Sequence, residues 1–129
     1  MKSGKASSFA DLKDILAFRR AKARGLSDRE AFAVGDNGIG CFGDDLTTSI
    51  PYVAVSPDAM IAKFGSVKNA KHKPLLLTIA GVTHRCFVGD RMPWEKNIKN
   101  GAVIDLAPGA QQAFRLSPPF MVSCTWDWE

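Results

Sequence analysis

The stretch Val103-Ile104-Asp105-Leu106-Ala107-Pro108 places one carboxylate in the middle of an apolar run. The run is short and aliphatic, which predicts a buried strand over Ala102–Leu106, and Pro108 predicts that a helix begins directly after it. An aspartate in such a strand is costly to desolvate unless it is paired, hydrogen-bonded or protonated. Asp105 is therefore either a structural residue, bonded to backbone N–H groups or paired with Arg91, or a general acid with a raised pKa.

Other short runs of the same kind lie on both sides of this stretch. They are Tyr52–Val55, Leu75–Ile79, Val82–Val88 and Met121–Trp126. Ala80-Gly81 predicts a tight hairpin between the second and the third. Ser56-Pro57 predicts a helix start, with Ser at the N-cap and Pro at the first helical position. Together these signals predict a mainly β domain over residues 34–129, built as a small barrel with short helices.

Residues 1–33 differ from the rest of the chain in hydrophobic spacing and in charge. Apolar residues at helical spacing predict a helix over 8–24 with Ser7 or Ser8 as its N-cap, and Ser27 with Glu30 predicts a capping box that opens a second helix. The region holds eight basic residues (Lys2, Lys5, Lys13, Arg19, Arg20, Lys22, Arg24, Arg29) and four acidic ones (Asp11, Asp14, Asp28, Glu30). It therefore carries the whole excess of +4, and we expect a basic, helical N-terminal arm.

The composition excludes several classes of protein. A chain of 129 residues with 46% hydrophobic and 23% charged residues is typical of a globular domain, not of a collagen, a coiled coil or a disordered segment. No apolar run approaches the ~20 residues of a membrane span. Three widely spaced cysteines without a CxxC pair argue against a structural zinc site, and we expect neither metal nor cofactor. Nucleic-acid binding is disfavoured, because the basic helix has no interleaved aromatic residues.

A second carboxylate follows the fourth β-type run. Asp90 precedes Arg91-Met92-Pro93 and so stands at a strand end. Cleavage of a glycosidic bond commonly uses two carboxylates that flank the bond. Residue types alone do not decide which aspartate would accompany Asp105, and the candidates are Asp90, Asp36, Asp44 and Asp45.

Five motifs follow one another in a characteristic order along residues 34–129. They are Gly38–Gly43, Val53–Pro57, Val88–Pro93, Val103–Pro108 with Ala113-Phe114 after it, and Val122–Trp126. Their order and spacing resemble the double-psi β-barrel group of rare lipoprotein A, barwin, expansins and family 45 endoglucanases. They are also similar to the three-aspartate domain of lytic transglycosylases.

The resemblance implies a six-stranded double-psi barrel with a groove for a polysaccharide such as peptidoglycan. Its expected activity is that of a lytic transglycosylase or glycosidase, with Asp105 as general acid and Asp90 assisting. Trp94, beside Asp90, would be the platform on which a sugar ring stacks. The further substrate contacts expected from the sequence are Arg91, Tyr52, Asp36, Asp45 and Ser56.

Two departures from the family patterns favour a module that grips glycan without cleaving it, as barwin and expansins do. The histidine of rare lipoprotein A has no counterpart, and the first aspartate of the three-aspartate pattern falls at Ser56. A third interpretation is a structural component of a phage particle or a secreted assembly, docked to a protein partner through residues 1–33. The first 30 residues lack the apolar centre of a secretory signal. Action on a cell wall would then require another export route, lysis or delivery in a particle.

Overall fold

The computed structural model describes residues Met1–Glu129. The strands are β1 (Lys2–Ser8), β2 (Tyr52–Val55), β3 (Pro74–Ile79), β4 (Val82–Arg91), β5 (Ala102–Leu106) and β6 (Met121–Trp128). The α-helices are α1 (Leu12–Ala23), α2 (Asp28–Phe32), α3 (Pro57–Phe64) and α4 (Pro108–Ala113), and two 3-10 helices cover Lys68–Ala70 and Glu95–Asn97. None of these helices has the length and apolar character needed to cross a membrane.

The strands close into a barrel in the order β1-β5-β2-β4-β3-β6. The pairs β1·β5 and β2·β4 are parallel, and the remaining pairs are antiparallel. Closure leaves no free strand edge for another chain to extend. The prediction of a mainly β, six-stranded barrel with short helices is confirmed.

Alternation along the strands separates the barrel interior from its outer face. Val53 and Val55 of β2 are fully buried in the main core cluster, as are Ile104 and Leu106 of β5. Because successive side chains of a strand point to opposite faces, Ala54 and Asp105 lie on the outer face between these core residues. Asp105 is therefore the polar side chain that β5 places on the outer face.

Local signals place most elements where the sequence predicts them. β2 and β5 have the predicted bounds, and Ser56 caps α3 by accepting a hydrogen bond from the Ala59 N–H at 3.1 Å. The β3–β4 hairpin turns at Ala80 and Gly81, which both have positive φ (50° and 80°), as a type I′ turn requires.

The prediction of a helical arm over residues 1–33 needs correction at its start. Residues Lys2–Ser8 form strand β1, which pairs with both β5 and β6 and is part of the closed barrel. α1 consequently begins at Leu12, with Asp11 and not Ser7 or Ser8 as its N-cap. The sequence Lys-Ser-Gly-Lys-Ala-Ser-Ser has one apolar residue, Ala6, and therefore no apolar alternation that would predict a strand.

The two helices after β1 form a hairpin that lies against the loop leading to β2. The predicted capping box of α2 is present between Ser27 and Glu30. The rings of Phe18 and Phe32 pack with centroids 4.7 Å apart and join the helices. Gly35 packs so closely against α1 that a Cβ at this position would lie 2.2 Å from the Asp14 carbonyl oxygen. This close approach fixes the direction of the chain that runs on to Asp36.

Candidate functional site

One row of side chains crosses four neighbouring strands on the outer face of the barrel. Ser7 of β1 is in register with Asp105 of β5, Asp105 with Ala54 of β2, and Ala54 with Asp90 of β4. A bulge after Val53 shifts the register of β2 against β4 and brings Asp90, not Gly89, beside Ala54. The two strand aspartates therefore flank a single methyl group.

Burial determines the chemistry of Asp105. Desolvation raises the pKa of its carboxyl group from the ordinary 3.8 to about 6, and the nearby charge of Asp90 acts in the same direction. The Ser7 hydroxyl donates a hydrogen bond to Oδ1 of Asp105 and opposes the rise. The carboxyl group consequently holds its proton over the mildly acidic range, where an ordinary aspartate is ionised.

Asp90 is held differently. Its Oδ1 accepts two backbone hydrogen bonds, from the N–H of Cys41 at 3.0 Å and from its neighbour Arg91 at 2.8 Å. Burial is the largest influence and raises the pKa of Asp90 above its ordinary value, although these bonds and the Arg91 charge lower it. Both backbone bonds go to Oδ1, which leaves Oδ2 without a backbone partner. Asp90 thus has two backbone donors that stabilise its ionised form, whereas Asp105 accepts the Ser7 hydroxyl.

A third carboxylate, Asp36, lies beside Asp90. Burial is the main cause of its raised pKa, and the charge of Asp90 raises that pKa further. The loop between them is closely packed: a Cβ on Gly40 would lie 1.9 Å from the Gly89 carbonyl oxygen. Glycine at position 40 thus lets the 36–41 segment touch the strand that carries Asp90.

Two open cavities hold these aspartates and meet at Met92 and Pro93. The first has a volume of about 530 Å³ and contains Asp36 and Asp90, and the second, of about 350 Å³, contains Asp105. The other residues that line the first are Phe32, Ile39, Gly40, Cys41 and Arg91. Those of the second are Ser7, Asn97, Ile98, Lys99, Asn100 and Ala102. The two cavities are therefore neighbours on the face that carries Asp90 and Asp105, and we refer to them together as the groove.

Several residues expected at the site lie elsewhere. Tyr52 is only 8% exposed and packs with Leu46 outside the barrel, so its ring lines neither cavity. Asp45 is exposed and accepts hydrogen bonds from the N–H and hydroxyl of Thr47 in its own turn. Asp44 is bonded to His72, 2.7 Å away.

Ser56 and Trp94 stand close to the groove along the chain but are not among its walls. Ser56 is buried and donates a hydrogen bond to Oε1 of Glu95 at 2.9 Å, in a neighbouring depression that shares Ile98 and Ala102 with the Asp105 cavity. Trp94 is 43% exposed, yet its ring lines neither cavity. The half-exposed ring that does line the groove is Phe32, which the sequence analysis did not single out.

No group of three or more His, Cys, Asp or Glu side chains is arranged to hold a metal ion. The three cysteines are unpaired: Cys41 is exposed, and Cys86 and Cys124 are buried. Although Cys41 is exposed as a residue, partial desolvation of its thiol and the negative charge of Asp90 raise the thiol pKa to about 11, which keeps it protonated and a poor nucleophile at neutral pH. The carboxyl groups that line the groove are those of Asp36, Asp90 and Asp105.

Replacement of Ser7 by Ala is expected to raise the pKa of Asp105 by about one pKa unit. The Ser7 hydroxyl stabilises the ionised carboxylate, and a hydrogen bond to a charged group contributes about 1.5 kcal/mol. Carbon-detected NMR titration of the Asp105 carboxyl group in both proteins measures the change directly. Ser8→Ala is the matched control, because the next side chain of β1 points to the opposite face. A pKa that stays the same or falls in Ser7→Ala would contradict the role given to this hydrogen bond.

Six solved chains are similar to this one in structure. The fold is similar to that of "Streptomyces papain inhibitor (SPI)", with a TM-score of 0.49 and 17% sequence identity over 97% of this chain and 92% of that one. No family model matches the sequence. No curated protein matches it either.

Proposed function

We propose that the protein cleaves a cell-wall polysaccharide, with Asp105 as general acid and Asp90 as the assisting carboxylate. The observation that carries the proposal is the pairing of these two groups in one groove, one with a pKa of about 6 and the other bonded to two backbone N–H groups. Peptidoglycan is the substrate favoured by the resemblance to rare lipoprotein A and the lytic transglycosylases. The closed barrel with two parallel strand pairs supports the double-psi assignment.

Asp105 and Asp90 lie one strand apart on either side of Ala54. Ala54 is only 2% exposed and is covered by Met92 and Ala102, so the two carboxyl groups face neighbouring cavities. Hydrolysis is the reaction for which this pair supplies both an acid and a base.

Each group then has a defined task. Asp105 gives its proton to the glycosidic oxygen as the bond from that oxygen to the anomeric carbon breaks. Asp90 takes a proton from the water whose oxygen attacks the anomeric carbon from the other side. The products are a new reducing end and a free hydroxyl group, and exchange with solvent restores both carboxyl groups.

The test is incubation of the protein with purified peptidoglycan sacculi at pH 5 to 6, followed by mass spectrometry of the soluble fraction. We expect fragments with reducing ends. Fragments with 1,6-anhydro ends would mean that the sugar's own 6-hydroxyl attacks, which keeps Asp105 as the acid and removes the role of Asp90 as base. Absence of any product would refute cleavage of this polymer.

A second candidate function is glycan binding without cleavage, and the wall of the groove supports it. Phe32 and Ile39 are 48% and 54% exposed and lie beside Asp90 and Arg91. An exposed ring next to charged groups is suited to stack on a sugar face. This candidate predicts co-sedimentation of the protein with sacculi, weakened in Phe32→Ala and unchanged in Trp94→Ala, and no soluble product in the same incubation.

A further inference from the structure

The depression that holds Glu95 lies next to the Asp105 cavity. It has a volume of about 260 Å³ and shares Ile98 and Ala102 with that cavity. Pockets for drug-sized ligands have about 300–1,000 Å³, so this one is suited to a single substituted sugar unit. Val103 lines it and projects from the same face of β5 as Asp105, about 7 Å away along the strand. Adjacent units of one glycan chain can therefore occupy the two sites.

Glu95 supplies the depression with a carboxylate that is fixed in place. Its Oε1 accepts hydrogen bonds from the Ser56 hydroxyl at 2.9 Å and from Lys2 Nζ at 3.2 Å, and its backbone N–H donates to Asp58 Oδ1 at 2.9 Å. Its Oε2 accepts no hydrogen bond from the protein. A side chain that is already immobilised loses little conformational entropy when it binds a ligand. Oε2 is therefore a preorganised acceptor for a donor on a ligand.

Lys2 supplies a donor beside this acceptor. An ammonium group has three N–H donors, and the side chain of Lys2 bonds to Glu95 alone. The charges of Lys2 and Glu95 cancel, and no other charged residue lines the depression. The depression therefore favours a neutral group that both donates and accepts a hydrogen bond.

The rest of the lining, apart from Gly101, is apolar. It consists of Ile98, Ala102, Val103 and Trp126. The indole N–H of Trp126 donates to the Val103 carbonyl at 3.0 Å and is not free for a ligand. A hydroxyl group placed against these side chains would lose water without gaining a partner, whereas a methyl group is stabilised by burial.

We propose that this depression binds the acetamido group of an N-acetylated amino sugar. The amide N–H donates to Glu95 Oε2, the amide carbonyl accepts from Lys2 Nζ, and the methyl group packs on Val103. A plain glucan lacks the methyl group, and a free amino sugar would bring a second cation beside Lys2. The inference rests on the proposed function, since it takes the ligand to be a glycan, and it places recognition of the sugar substituent outside the two aspartate cavities.

The test is isothermal titration calorimetry of the full chain with the β-1,4-linked tetrasaccharides of N-acetylglucosamine, glucose and glucosamine. We expect the N-acetylated one to bind about tenfold more tightly than the other two. Glu95→Gln should lose most of this preference, because the one amide oxygen of Gln is used by the Ser56 hydroxyl and its NH₂ group faces the ligand N–H. Lys96→Gln is the matched control and should keep the preference, since Lys96 is the next residue of the same 3-10 helix and does not line the depression.

Three results would overturn the inference. They are equal binding of the glucose tetrasaccharide, tighter binding of the glucosamine tetrasaccharide, and a preference that Glu95→Gln leaves intact. Absence of binding by all three oligosaccharides would overturn it as well. Release of fragments from sacculi is measured separately and tests the proposed function by itself. Fragments released in spite of these results would keep Asp105 as the acid and remove only the role of the depression.

Discussion

The Asp105→Asn variant should cleave about 10²- to 10⁴-fold more slowly and should be more stable at neutral pH. Asn has no acidic proton to donate, and general acid catalysis contributes about this factor. The amide oxygen still accepts the hydrogen bond from Ser7, so the groove keeps its shape. Release of soluble fragments from sacculi measures the first effect. Full activity of the variant would exclude Asp105 as the acid.

The gain in stability follows from the raised pKa of Asp105. Because this pKa is about 6 in the folded protein and 3.8 ordinarily, the contribution of the protonated group is fully present below pH 4 and is lost as the pH rises through 6. A difference of about two pKa units corresponds to about 3 kcal/mol. Asn is neutral throughout, so we expect urea unfolding of the two proteins to agree at pH 4 and to differ by up to that amount at pH 7.5.

Asp45→Asn is the matched control for both effects. Asp45 is exposed and its pKa is lowered, chiefly by the hydrogen bond from the Thr47 side chain. Neutralising it should leave cleavage unchanged and should not stabilise the protein at pH 7.5. A stability gain in both variants would mean that the overall charge, and not the burial of Asp105, is responsible.

Gly40→Ala should destabilise the protein by about 3 kcal/mol or more and disrupt the Asp90 site. The added Cβ would lie 1.9 Å from the Gly89 carbonyl oxygen, and backbone cannot move aside as a flexible side chain can. Forced overpacking costs about 1–3 kcal/mol, and more where nothing yields. The strand can relieve the clash only by moving Gly89, which carries Asp90 with it.

Gly43→Ala separates this packing effect from the general cost of replacing a loop glycine. Gly43 has a φ of +91° and open space where a Cβ would point, so alanine there meets only backbone strain of about 1–2 kcal/mol. Urea unfolding of both variants gives the comparison. A larger loss in Gly43→Ala than in Gly40→Ala would contradict the close contact between the 36–41 segment and β4.

The sequence predicts five of the barrel strands because each carries its own local signal. β2 and β5 have an aliphatic run followed by Pro at the start of a helix, and β3 and β4 have the Ala80-Gly81 turn between them. β1 has no such signal, because it consists of polar residues that take their conformation from β5 and β6, about a hundred positions away. The strand conformation of β1 is therefore set by tertiary pairing and not by intrinsic β-propensity.

The candidate site likewise contains some residues that the sequence predicts and others whose position depends on tertiary packing. The sequence singles out Asp105 and Asp90 because a carboxylate within or at the end of an apolar strand is costly to desolvate. The alignment of Asp105 and Asp90 across β2 depends on the bulge after Val53, and no local sequence pattern predicts this bulge. Phe32 reaches the groove only through its packing on Phe18, and this placement depends on how the α1–α2 hairpin lies on the barrel.

The pairing of the first strand with the last has a consequence for folding during synthesis. β1 lies between β5 and β6, and Lys2 is in register with Trp126. The ribosome must synthesise the chain through β6 before β1 has both neighbours, and such distant pairing makes barrel closure slow. Ser7 is on this strand, so its hydrogen bond to Asp105 is among the last to form. Nascent chains therefore lack the finished groove until β6 has been synthesised.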